Sequence, residues 1–90
     1  MIVYDTMDFM LEEELIDLFT FCLQNPQSSE IESKKSRIKE IGKEIFDNGG
    51  FNGMENIYFA VENRVEAEIQ ISAKPFRSLW NGISDEWNHH

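Results

Sequence analysis

One cysteine, two prolines, no histidine before position 89 and no lysine or arginine in the first third mark this 90-residue chain by what it lacks. Cys22 alone excludes an internal disulfide framework and leaves no thiol pair for a metal knuckle. Without an internal His, conventional general acid–base work would fall to carboxylates alone. No apolar run approaches the roughly 20 residues of a membrane-spanning helix. Met1-Ile2-Val3-Tyr4-Asp5 carries neither the basic region nor the small-residue cleavage site of a signal peptide, so a reduced, cytoplasmic setting is expected. His89 and His90 are compatible with tag remnants and are assigned no role.

What is present is ordinary globular material, 41% apolar and 28% charged, in a length that makes one helical domain of residues 1–90. Met7, Leu11, Leu15, Leu18 and Cys22 follow helical spacing from about Thr6 to Gln24, with Met10 and Phe19 widening the stripe. Phe9, Ile16 and Leu23 repeat every seven residues on a neighbouring face, so the apolar arc is broader than one packing contact requires. Asn25-Pro26-Gln27-Ser28-Ser29 stops this helix, and Ser29 with Glu32 reads as a capping box opening a second. Ile31, Ile38, Ile41 and Ile45 form its stripe, in which Gly42 suggests close approach of another element.

Asp47-Asn48-Gly49-Gly50 is expected to end the second helix on a left-handed glycine. Asn52 and Glu55 form a cap-like pair for a third helix bearing Met54, Ile57, Tyr58, Val61, Val65 and Ile69. Its end is ambiguous, because Val65, Ala67, Ile69 and Ile71 also alternate as a strand would, with Met1–Tyr4 the available partner; helix is preferred. Pro75 suits the first turn of a fourth helix, capped by Ser72 or Lys74, with Phe76, Leu79, Trp80, Ile83 and Trp87 facing inward. Four helices with short connections imply an all-α fold, a compact four-helix bundle or orthogonal array, in which Trp80, Ile83 and Trp87 pack on Ile41, Ile45, Tyr58 and Val61.

Charge is uneven. Residues 1–33 hold eight acids and no base, residues 34–49 five bases against three acids, and residues 50–90 three bases against six acids, for a net charge of −9. Such a field repels nucleic-acid phosphates and acidic lipid and attracts basic surfaces. Lys34, Lys35, Arg37, Lys39 and Lys43 scatter around one helix among Glu32, Glu40 and Glu44, which reads as a solvated face rather than a phosphate site.

No motif supplies chemistry. A calcium loop counted from Asp47 would place Gly49 and Phe51 where oxygen ligands belong and Tyr58 where the bidentate acid belongs. Glu13 and Asp17 lie one turn apart, but no Glu-x-x-His accompanies them for a di-metal site. Cys22 sits on an apolar stripe, as an inert buried thiol does. No catalytic residue, metal site or cofactor is therefore assigned, and an enzyme is not expected.

Arg37-Ile38-Lys39-Glu40-Ile41-Gly42-Lys43-Glu44-Ile45, then Gly49-Gly50-Phe51, Met54, Tyr58 and Val61, then Trp80-Asn81-Gly82-Ile83 and Trp87, resemble a family of small bacterial helical proteins. Its members carry an Ile-Gly motif, a Gly-Gly-Phe/Met turn, a downstream Met and Tyr, and a terminal Trp-Asp-Gly-Ile-Gly-x-Trp. The similarity spans about residues 37–87 and leaves out the acidic first helix; Asn81 stands for the usual Asp and Ser84 for the second Gly. The resemblance implies an all-helical fold in a bacterial cytoplasm and no activity. Genes for such proteins often lie beside those for secreted toxins, which favours an immunity role.

The residues and the resemblance together lead to an acidic protein-binding inhibitor, an immunity protein covering a basic toxin, often a nuclease. The alternative is a helical adaptor or self-associating subunit, a homo-oligomer without enzymatic activity. The expected recognition face comprises Asp8, Phe9, Glu12, Glu13, Ile16 and Asp17 on the first helix, where acids and apolar anchors share one side. Neither nucleic acid nor membrane is expected as a partner.

Overall fold

Helical periodicity governs the architecture. The computed structural model describes the backbone of residues 6–89 and the side chains of residues 8–89. Helix α1 spans Thr6–Gln24, helix α2 spans Ile31–Ile69, and a 3-10 helix, η1, spans Lys74–Trp80. No strand occurs among the described residues apart from an isolated bridge between Asn81 and Ser84. The suggested strand partner Met1–Tyr4 and the residue His90 lie outside the described residues. The radius of gyration is 12.6 Å, as expected for one compact domain of this length.

The fold is all-α, but the four-helix bundle is not formed, for two reasons. First, the expected second and third helices are the two arms of α2, residues 31–49 and 51–69, which meet at Gly50. Gly50 has φ 65 and ψ −161, a combination essentially confined to glycine and far from the expected left-handed helical cap. One such residue redirects the chain without a loop, so Asn52 sits inside the helix and caps nothing. Second, the expected fourth helix is a 3-10 turn series that stops at Trp80, and Ile83 and Trp87 follow in turns.

The start of α2 also differs from the capping-box reading. Its N-cap is Glu30 with no side-chain cap bond; the Glu30 N–H instead donates to Ser28 Oγ at 3.1 Å. At the other end the helical reading of residues 65–69 holds, and Gln70 closes the helix in the left-handed region with its N–H donating to Glu66 O. The N-cap of η1 is Ala73; Ser72 contributes by accepting the Lys74 N–H at 3.2 Å.

α1 and both arms surround one core. Leu11, Leu15, Leu18, Phe19 and Cys22 come from α1, Ile38, Ile41 and Ile45 from the first arm, and Met54, Ile57, Tyr58, Val61 and Val65 from the second. Phe76, Trp80 and Trp87 close it, while Ile83 is only partly buried against it. Tyr58 is the aromatic centre, with ring centroids of Phe19, Trp80 and Trp87 at 5.6, 5.3 and 5.4 Å.

The buried polar ends of these rings all find partners, as burial demands. The Tyr58 hydroxyl donates to Ala73 O at 2.9 Å, the Trp80 indole N–H to Ile38 O at 2.9 Å, and the Trp87 indole N–H to Arg77 O at 2.7 Å. Burial raises the Tyr58 phenol well above its ordinary range, with the neighbouring Glu62 charge adding to the effect. Arg77 makes a two-point bond to the buried Glu62, at 2.7 and 3.0 Å, which ties η1 to the second arm. Trp80 lies on Gly42: a Cβ there would fall 2.6 Å from its Nε1 and 2.7 Å from its Cε2, so Gly42 is a close-packing position. His89 also has a structural part, its backbone N–H and C=O both bonded by the Asn81 side chain.

Candidate partner-binding face

At 100° per residue, burying Leu11, Leu15, Leu18 and Cys22 turns Phe9, Glu13 and Asp17 outward, with Met10 at their side. The side chains bear this out. Phe9 is 54% exposed and Met10 64%, which leaves two adjacent apolar groups open at the N-terminal end of α1. The only other large exposed hydrophobic among the described residues is Ile71, in the connection before η1. Asp17 is exposed, whereas Asp8, Glu12 and Glu13 are half-buried. Asp8 lies in the first turn, where a negative charge complements the helix dipole, and its Oδ1 accepts from Asn48 Nδ2 at 3.4 Å.

Two expectations are corrected here. Ile16 is 5% exposed and belongs to the core, so it offers no anchor to a partner in the folded chain. Met10, read as widening the inward stripe, points to solvent. The face that remains comprises Asp8, Phe9, Met10, Glu12, Glu13 and Asp17. A sequence pattern with two overlapping apolar stripes does not say which one the arms will cover.

The acids of α1 also serve the fold. Glu13 and Glu14 are neighbours in sequence yet reach opposite arms. The Glu13 Oε1 accepts from Arg64 Nη1 of the second arm at 3.0 Å. Glu14 takes a two-point bond from Arg37 of the first arm, at 2.6 and 2.9 Å. That charge-assisted pairing holds the Glu14 carboxyl below its ordinary value and pushes the Arg37 guanidinium further up. Arg37 also donates to Glu40 at 2.8 Å and stands 3.7 Å from a Glu44 oxygen that is shielded from solvent and has no hydrogen bond. These pairs join residues 23 and 51 positions apart, so no local spacing announces them.

A second feature, at the other end of α1, had no sequence signal. Cys22, Leu23, Pro26, Ile31, Lys35 and Phe76 line an open cleft of about 210 Å³. They come from the end of α1, the turn after it, the start of α2 and η1. Lys34 stands beside them with its ammonium 4.7 Å from the centre of the Phe21 ring. Burial raises the Cys22 thiol above its ordinary value while Lys35 and Lys34 pull the other way. The thiol is buried and packs as part of the apolar lining. No cluster of three or more metal-binding side chains occurs among the described residues. No helix of the described residues is long and apolar enough to cross a membrane.

Comparison of the chain with family models, curated proteins and solved structures finds no match.

Proposed function

We propose that this chain is a small acidic protein-binding inhibitor, an immunity protein that neutralises a basic toxin domain in the cytoplasm by covering its cationic cleft. The observation that carries the reading is the outward stripe of α1. Phe9 and Met10 stand exposed beside Glu13 and Asp17, on a segment with no base from residue 1 to 33. Acids of one sign steer a basic protein into encounter, and an aromatic anchor that becomes desolvated slows its release. The recognition set is Asp8, Phe9, Met10, Glu12, Glu13 and Asp17. Glu13 remains in it because a carboxylate accepts several donors, of which Arg64 supplies one.

The test is a binding titration against the product of the neighbouring gene, paired with growth of cells that express it. Neutralising Glu12, Glu13 and Asp17 together should slow association and flatten its salt dependence. Phe9→Ala should speed dissociation instead. If no partner is bound, or if the neutralised variant binds and protects like the parent, the acidic face serves only to keep the domain dispersed.

A further inference from the structure

The two ends of α1 carry complementary features. At the N-terminal end an exposed aromatic, Phe9, stands among Asp8, Glu12 and Glu13. At the C-terminal end an apolar cleft is edged by Lys35 with Lys34 beside it. The cleft's size restricts its occupant. About 210 Å³ is below the roughly 300–1,000 Å³ of pockets that hold cofactors and drug-sized ligands. It exceeds the roughly 150 Å³ cavity that accepts benzene. One phenyl ring therefore fits, and the lysine edge selects a ring with carboxylates around it.

We infer that the occupant is Phe9 of a second copy of this chain. Its ring enters the cleft between Cys22, Leu23, Ile31 and Phe76, and its flanking acids meet Lys34 and Lys35. Phe9 and Cys22 are 13 positions apart, about 20 Å along the helix at 1.5 Å per residue. Two copies with α1 antiparallel therefore make the same contact twice, which closes a two-fold dimer rather than an open series. A net charge of −9 on each copy opposes this association at long range. At physiological ionic strength the screening length is about 8 Å, so charges a helix length away count little against the pairs in contact. The dimer would occupy the same Phe9 face that the proposed basic partner needs, so the two associations exclude each other. The inference rests on the cleft and not on the existence of that partner.

Sedimentation of the intact chain over a concentration series at about 0.15 M salt tests it. The expected result is a monomer–dimer equilibrium that Phe9→Ala and Lys35→Glu each weaken at least about tenfold. Phe9 is exposed and Lys35 half-buried at the cleft edge, and far-UV circular dichroism verifies that both variants fold. An equimolar mixture of the two variants should associate more tightly than either alone, because one intact ring then meets one intact cleft. At concentrations where the parent is monomeric, Lys35→Glu should bind a basic partner no more weakly than the parent does, which separates failure of this inference from failure of the functional reading. A parent that stays monomeric, variants that dimerise like the parent, or a mixture no tighter than its components would each overturn the inference. A monomeric parent that instead takes up benzoate at the cleft would overturn it and assign the cleft to a small aromatic acid.

Discussion

Gly42→Ala puts opposing physical effects on one atom. In an unobstructed helix interior the added methyl stabilises by about 1 kcal/mol through helix propensity. Here the methyl carbon would lie 2.6, 2.7 and 2.8 Å from three atoms of the Trp80 indole. That ring is fully buried, with the Tyr58 and Trp87 rings each centred 5.3 Å away, so it has no open side to move into. Overpacking of this kind costs about 1–3 kcal/mol. The indole N–H also donates to Ile38 O, the carbonyl of the helical turn that closes on Gly42 itself. Displacing the ring strains or breaks that bond, and an orphaned buried donor costs about 1–3 kcal/mol more.

Weighed against the propensity gain, the substitution should destabilise by about 1–5 kcal/mol. For a domain of this size each kcal/mol lowers Tm by about 4–8 °C, so the midpoint should fall by at least about 4 °C. Thermal unfolding followed by far-UV circular dichroism measures it. A double-mutant cycle isolates the cause: in a Trp80→Ala background, which itself should cost about 3–5 kcal/mol, Gly42→Ala should become neutral or stabilising. An unchanged or raised midpoint for Gly42→Ala in the parent would refute the packing argument.

The other glycines of α2 should respond in opposite directions. Gly50→Ala is expected to destabilise by about 1–3 kcal/mol because φ 65 with ψ −161 is essentially a glycine conformation, whereas Gly53→Ala, whose new methyl would meet Ile45 at an ordinary 3.7 Å, should stabilise by about 0.4–1 kcal/mol in denaturant titrations. Ile16→Ala should cost about 2–5 kcal/mol, while Phe9→Ala should change monomer stability by no more than about 0.5 kcal/mol; equal losses in chemical denaturation would contradict the two burial states. Glu14 has a carboxyl held below its ordinary value of 4.5 in the folded chain, so its contribution is present above that pH and is lost as pH falls through the depressed value. With both side chains partly exposed, at 33% and 40%, the pair is worth about 1 kcal/mol or less, and Glu14→Gln should differ from the parent near neutral pH and converge with it in strong acid.

The parts legible in sequence were those written in local periodicity. The inward stripes of α1 and both arms, the packing role of Gly42 and the burial of Trp80 and Trp87 follow from spacing. The register at which elements meet was not legible. Ile16 and Met10 exchanged places, one entering the core and the other leaving it, because spacing along one helix does not say which of two overlapping stripes its neighbours cover. The Asp47–Gly50 stretch contained every signal of a helix stop, yet a single backbone rotation at Gly50 suffices to redirect the chain. The expected fourth helix did not form either. Trp80 and Trp87 are held by indole N–H bonds to Ile38 O and Arg77 O, and the chain between them passes through a bridge and turns in place of continued α-helix. The Lys-edged cleft draws on four segments, none of which carries the pattern alone.

The buried residues of the glycine and aromatic motifs are taken up by packing. Gly42 receives Trp80, Gly50 turns α2, Phe51 meets the Trp87 ring edge-on, and Tyr58 touches Trp80 and Trp87. Asn81 holds the backbone of residue 89. A residue committed to a buried contact on both sides has no surface left with which to recognise anything else. That set of residues therefore specifies a scaffold, the two arms of α2 closed by η1 and the turns after it. It does not specify a partner. α1 lies outside the set, yet it supplies Leu15 and Phe19 to the same core and extends Phe9, Met10 and Asp17 from it. Its inward face must suit the scaffold, and Glu13 and Glu14 bind it to both arms. On its outward face Phe9, Met10 and Asp17 are exposed and carry little packing constraint. Phe9, Met10 and Asp17 can therefore be substituted at little cost in stability, and under the proposed function it is there that changes in binding should be sought.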